Sequence, residues 1–193
     1  MATKALPTPK QLRQLLAYNP YTGKIFRKAR PASDFPDPGS EKTWNARFCG
    51  QEAGCVSNRG YILVGLTVDG VRHRLWGHRV AWAIYHYEWP ANVIDHINGD
   101  GADNRLSNLR QATHAENMRN RSARSNGSSR HAGVWRNGRD GRWVAGLRIP
   151  NPSGKGRGTP VYLGRFDSED EAAIAYNEAA SLHHGKFARL NKI

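Results

Sequence analysis

Residues 119–130 read RNRSARSNGSSR, with no apolar side chain beyond Ala123. Serine, glycine and arginine with almost nothing apolar to repay the entropy of ordering mark such a run as a linker. It therefore divides the 193 residues into two folding modules. The expected organisation is an N-terminal support or DNA-contact region at 1–58, a first domain at 59–121, a basic linker at 122–130 and a second domain at 131–193.

Charge narrows the partner. There are 29 Lys and Arg against 16 Asp and Glu, a formal net charge of +13. The excess is mostly arginine, whose planar fork matches phosphate oxygens and base edges. A polyanion is the first partner to consider, since neutralising phosphates releases condensed counterions. The bland alternative is a well-solvated basic surface. Cys49 and Cys55 are too few for a disulfide framework and are not at CxxC spacing, which suggests a reduced cytoplasmic protein. The opening MATKALPTPK lacks the apolar core of a signal peptide, and no run of about 18 apolar residues occurs. Neither secretion by that route nor a membrane span is expected.

In chain order, Thr8-Pro9-Lys10-Gln11 has the form of a helix start, and Leu12, Leu15 and Leu16 at helical spacing carry the helix to about Tyr18. Lys24-Ile25-Phe26-Arg27 reads as a short strand. Residues 29–51, with Pro31, Pro36 and Pro38, read as an irregular excursion. Asp69-Gly70 between two apolar runs is a hairpin signal. The second strand of that hairpin alternates Arg72 and Arg74 with Val71, His73 and Leu75. Its basic face fits a DNA groove or plain solvent equally well. Residues 78–85, HRVAWAIY, read as a helix with Val80, Ala81, Ile84 and Tyr85 on one face. His78 and His86 read as structural or DNA-contacting rather than metal-binding.

Residues 95–121 hold the chemistry: DHINGDGADNRLSNLRQATHAENMRNR. Thr113 and Glu116 have capping-box spacing, which places Asn117 in the first turns of a helix. Mg²⁺ prefers hard oxygen ligands and often takes one or two from protein, filling the rest with water and substrate phosphate. Asp95 and the amide oxygen of Asn117 suit that role. On an extended strand His96 points away from Asp95, which leaves its imidazole to take a proton from water. Arg105 and Arg119 are candidate phosphate clamps, and Arg121 continues the basic run. His114, three residues before Asn117, is the other candidate for the last metal ligand. A structural aspartate–histidine pair is the plain alternative.

This stretch resembles the HNH nucleases, specifically their phage homing-endonuclease branch. The resemblance implies a ββα-metal nuclease fold, with His96 as general base and Asn108, in NRLSNLR, as the central asparagine that braces the loop and orients the histidine. It further implies Asp95 and Asn117 as ligands of a divalent metal, Mg²⁺ first and Mn²⁺ second. The last motif position is Asn instead of His, an H-N-N variant. The segment HRVAWAIYH at 78–86 is also similar to what precedes the active site in these phage proteins. The family implies hydrolysis of double-stranded DNA to 5′-phosphate and 3′-hydroxyl ends, in a phage-encoded protein acting in bacterial cytoplasm. One motif per chain suits a nick by a monomer, while a double-strand break requires a dimer or two successive cuts.

In the second domain, Val134-Trp135, residues 142–149 and residues 161–166 read as three strands. Ser168 and Glu171 form another capping box, opening a helix that buries Ala172, Ala175, Tyr176 and Ala179 and stops at Gly185. The expected fold is therefore α+β, a ββα-metal domain plus a small three-stranded antiparallel sheet with one packed helix. Gly133-Val134, Arg142-Trp143, residues 162–167 (YLGRFD), Glu171-Ala172-Ala173, Ala175-Tyr176 and the ending Ala188-Arg189-Leu190-Asn191 resemble the DNA-binding domain of plant ethylene-response factors (APETALA-type). The resemblance implies that the sheet reads the major groove. Trp135, Arg136, Arg139, Arg142, Arg148, Tyr162 and Arg165 are the available contacts, and Trp143 is placed in the core. Ala132 and Pro160 stand where the family has arginine, so the plant target sequence does not carry over. A non-catalytic, sequence-specific DNA-binding regulator is the alternative to a targeted endonuclease.

Overall fold

The computed structural model describes residues 5–120, 127–149, 151 and 158–193. The chain forms two compact units, Met1–Gln111 and Ala112–Ile193. Arg121 and residues 122–126 of the expected linker lie outside the described residues.

In the first unit, helix α1 (Pro9–Leu15) starts on a complete capping box: the Thr8 hydroxyl accepts from Gln11 N, and Gln11 Oε1 accepts from Thr8 N. The helix ends before Tyr18. Leu16 turns extended and opens strand β1 (Leu16–Tyr18), which pairs antiparallel with β2 (Ile25–Arg27). Sheet bonds to a partner strand here outweigh another helical turn. Residues 29–51 are not irregular throughout, as they contain helix α2 (Pro38–Phe48). Asp37 caps it through Ser40 N, and Pro38 supplies the preset first position. The helix buries no residue, so the apolar periodicity that reveals most helices is missing. Its Trp44 and Phe48 instead pack on each other at 5.4 Å, with Phe35 at 6.0 Å from Trp44.

A sheet follows in the order β3 (Cys55–Val56), β4 (Ile62–Val68), β5 (Val71–Trp76). Asp69 and Gly70 form the tight turn with φ of 48° and 73°, as that dipeptide requires. Helix α3 (Gly77–His86) buries Val80, Ala81, Ala83 and Ile84. Tyr85, expected on that inner face, is exposed and Ala83 takes the inner place. Strand β6 (Val93–His96) pairs with β7 (Leu109–Ala112), and the loop between them ends in a 3₁₀ turn at Leu106–Asn108. One core joins Leu12, Leu16, Ile25 and Ala53 to Val64, Val80, Ile84, Ile94 and Leu109. The N-terminal residues thus share the core of the segment that carries Asp95 and His96.

The boundary between units falls inside β7. Helix α4 (His114–Arg119) belongs to the second unit and starts on the Thr113/Glu116 capping box, both bonds of which form. The second unit has its own core. Strands β8 (Val134–Arg136), β9 (Trp143–Ile149) and β10 (Thr159–Phe166) form an antiparallel sheet in the order β10-β9-β8. Helix α5 (Glu169–His184) covers one face, capped by Ser168 with Glu171 returning the bond. Ala172, Ala173, Tyr176 and Ala180 are the buried helix positions, while Ala175 and Ala179 are only partly buried. The inward stripe lies slightly around the helix from the expected one. The fold is α+β, built from small antiparallel sheets and helices.

Candidate functional site

Asp95 and His96 end β6, the strand that packs Ile94 into the first core, and both are buried, at 3% and 5% exposure. Asp95 Oδ2 accepts from Arg110 Nε at 2.8 Å and lies 2.7 Å from Arg110 Nη2. This two-pronged pair neutralises a carboxylate that would be costly to bury alone. Arg110 sits on the neighbouring strand β7, and sequence reasoning passed over it. Opposite charges on the strands flanking the loop were the available signal.

The His96 Nε2 atom lies 3.0 Å from Asn104 Oδ1, and Asn104 is 2% exposed. Sequence reasoning missed this asparagine too, because Asp103-Asn104 reads as turn punctuation. The His96 ring meets His78 at 5.1 Å and Tyr61 at 5.7 Å, both steeply inclined. Trp76 stacks parallel to His78 at 6.4 Å. Burial first, then the neighbouring His96 and Arg79, pulls the His78 pKa down to about 3, so it stays neutral.

Asn108 lies at the other end of the loop. Its Oδ1 accepts from Asn98 N at 2.9 Å, and its Nδ2 donates to Asn98 Oδ1 at 3.0 Å and to Asp103 O at 2.8 Å. Its carbonyl accepts from Ile97 N at 2.9 Å. These bonds tie the start of the loop to its end. Arg105 turns its guanidinium onto Asp103, Nε to Oδ1 at 2.8 Å and Nη2 to Oδ2 at 2.6 Å. That bond leads the causes lowering the Asp103 pKa to about 2. Arg72 and Arg74 are exposed on β5, flanking buried His73.

Asn117 is half-buried on α4 in the second unit, as is Arg119, and its assignment as a ligand rests on the sequence pattern. Among the described residues, no group of three or more His, Cys, Asp and Glu is placed to hold a metal. Mg²⁺ does not require such a group, and a carboxylate has about four lone-pair sites, so Arg110 does not exhaust Asp95. Carboxylate and amide oxygens are each hard donors that suit Mg²⁺ or Mn²⁺ better than zinc.

In the second unit, register sorts the candidate contacts by face. Trp135 pairs with Val144, Arg165 with Val144, Tyr162 with Gly146 and Pro160 with Arg148. Side chains directly opposite share a face, so Trp135, Arg148, Tyr162 and Arg165 project together on the side away from α5. The Trp135 ring lies over Gly146, where an added Cβ would meet it at 3.0 Å. Arg136 pairs instead with Trp143, which packs into the helix-side core. Arg136 lies at the edge and donates to Gly141 O at 3.0 Å. Arg139 and Arg142 belong to the turn, and Arg142 meets Asp167 at 3.2 Å. Arg148 donates to Gly158 O at 3.0 Å, and Arg165 meets Asp140 at 2.9 Å.

Residues 76–119 match the family model described as HNH endonuclease. Among curated proteins, the chain is 42% identical over 74 residues to the putative dehydration-responsive element-binding protein 2H of Arabidopsis thaliana, covering 38% of this chain and 43% of that one. It is 36% identical over 91 residues to protein 2D of the same series and organism, covering 47% and 41%. The chain is thus similar both to HNH endonucleases and to plant dehydration-responsive element-binding proteins. It spans about two fifths of the length of these curated relatives. A solved structure described as DNA binding and cleavage by the HNH homing endonuclease I-HmuI aligns at 22% identity and TM-score 0.38, over 54% of this chain and 50% of that one. Among the described residues, no helix is long and apolar enough to cross a membrane.

Proposed function

We propose that the chain is a divalent-metal-dependent endonuclease of the phage homing type, whose second unit holds it on double-stranded DNA. The observation that carries this reading is the buried Asp95-His96 pair at the end of β6, inside the segment that matches the HNH model. His96 takes the proton from the attacking water, which an imidazole can do near neutral pH. Asn108 holds the loop that shapes the site. Asp95 and Asn117 would hold Mg²⁺ or Mn²⁺. When bound, that ion would stabilise charge on the phosphate and on the leaving oxygen. Arg105 and Arg119 are the phosphate clamps, and Arg72, Arg74 and Arg121 extend the basic track. The exposed sheet face, with Trp135, Arg148, Tyr162 and Arg165, is the groove-reading surface, with Arg136, Arg139 and Arg142 along its rim. In this scheme 59–121 cut, 131–193 hold the duplex, 122–130 join the two and 1–58 support the first. By the same resemblance the protein is phage-encoded and works in bacterial cytoplasm.

The test is plasmid cleavage with Mg²⁺ or Mn²⁺ by wild type and His96→Ala. Removal of the base should slow cleavage by on the order of 10²- to 10⁴-fold. Equal rates would sink the assignment. A second reading, a DNA-binding regulator that does not cut, draws on the Arg110 pairing, which neutralises the one buried carboxylate of the pair. Tight binding with no cleavage under any divalent metal would favour it.

A further inference from the structure

We infer that Asn104, clamped by the N-terminal β1–β2 hairpin, fixes the tautomer of His96 and thereby selects the ring nitrogen that takes the proton. The inference rests on the reading of His96 as base. Asn104 is a positioning residue, acting through the imidazole.

The side-chain contact comes first. An amide oxygen only accepts, so with Asn104 Oδ1 at 3.0 Å the His96 Nε2 carries the hydrogen. The basic lone pair then resides at Nδ1. Because Asn104 is buried, water does not compete for the bond. The inclined rings of Tyr61 and His78 limit swinging of the imidazole away from it.

The backbone of Asn104 is held from two sides. On one side Asn108 Nδ2 donates to Asp103 O, fixing the preceding peptide. On the other, Tyr18 Oη donates to Asn104 O at 2.8 Å, and Leu106 N donates to Pro20 O at 2.9 Å. Gly23, at φ +74°, lies so close that an added Cβ would meet Arg105 N at 2.5 Å and Asn104 C at 2.6 Å. Burial raises the Tyr18 pKa, which keeps the phenol protonated as a donor. The hairpin at residues 16–27 is therefore part of the apparatus that aims His96. Asn108 acts one peptide further away.

The test uses the full-length protein with ¹⁵N-labelled histidine, with long-range ¹H–¹⁵N correlation recorded where His96 is neutral. The wild type should show His96 as the Nε2–H tautomer. Asn104→Ala should show averaged tautomer shifts, with kcat for plasmid cleavage reduced by roughly 10- to 100-fold and KM little changed. Asn104→Asp restores an acceptor and should restore the Nε2–H signature. Tyr18→Phe deletes one hydroxyl outside the core contact. It should move the His96 signature in the same direction by less, and it decides the question if Asn104→Ala does not fold. A wild-type Nδ1–H tautomer, or a signature unchanged in Asn104→Ala or Tyr18→Phe, overturns the inference. An inactive wild type whose Nε2–H signature still depends on Asn104 supports the positioning and counts against the nuclease reading instead.

Discussion

At the scale of single residues, the candidate site is a set of buried polar groups that satisfy one another. Asp95 is answered by Arg110 and His96 by Asn104. His78 is the exception: its Nδ1 is buried with no hydrogen-bond partner among the described residues. That arrangement makes stability depend on pH. In the unfolded chain His78 titrates near its ordinary 6.5, whereas in the folded chain it stays unprotonated down to about 3. Between those values the unfolded state binds the extra proton, so stability is intact above 6.5 and lost as pH falls toward 3. At pH 5 the loss from this one group is about 2 kcal/mol. Urea unfolding at pH 7 and pH 5 should show the wild type losing about that much more than His78→Phe. Equal losses in the two proteins would contradict the buried neutral imidazole.

At the scale of elements, capping boxes were the most legible feature. Thr8/Gln11, Thr113/Glu116 and Ser168/Glu171 each open a helix, because both bonds are local and need no distant partner. Asp69-Gly70 was legible for the same reason. Helix α2 leaves no apolar periodicity in the sequence because it buries nothing, and only Asp37-Pro38 marks its start. The end of α1 is not written locally, because pairing with β2, some ten residues on, decides it. In the second unit the sheet and helix meet at Gly133, where φ is +69° and an added Cβ would lie 2.1 Å from the Tyr176 ring and 2.7 Å from Gly146 O. Gly133→Ala should cost about 3 kcal/mol, from overpacking and the positive φ together. Gly138, with open space around it, should accept alanine within about 0.5 kcal/mol. Thermal unfolding of the two variants checks the contrast, and a mild Gly133→Ala would argue against the close approach.

At the scale of the molecule, the charge of +13 is the dominant property. On either functional reading, binding to duplex DNA should weaken with salt, by about 0.9 log units per log unit of salt for each phosphate neutralised. Fluorescence anisotropy with a labelled duplex between about 50 and 200 mM salt gives the slope. A flat response would contradict both readings. The exposed face of the second sheet supplies a further contrast. Arg148→Ala and Arg165→Ala should each reduce the slope by about 0.9 where the side chain neutralises one phosphate, whereas Arg136→Ala, register-mate of core Trp143, should reduce it less.

By itself the sequence determined whatever depends on near neighbours along the chain. Caps, the tight turn, the alternation in strands, the basic balance and the order DHINGD, NRLSNLR, THAEN are all written within a few residues of one another. What only tertiary structure decided was which groups answer each other across distance. Arg110 on Asp95, Asn104 on His96, and Tyr18 and Gly23 on the Asn104 backbone join residues 8 to 86 positions apart. Local propensity carries no record of such pairings. A buried charge or imidazole must find its partner wherever the packed core brings one, and the core, which takes Leu12 and Ile25 from the N-terminal residues, brought the first hairpin to the loop behind His96.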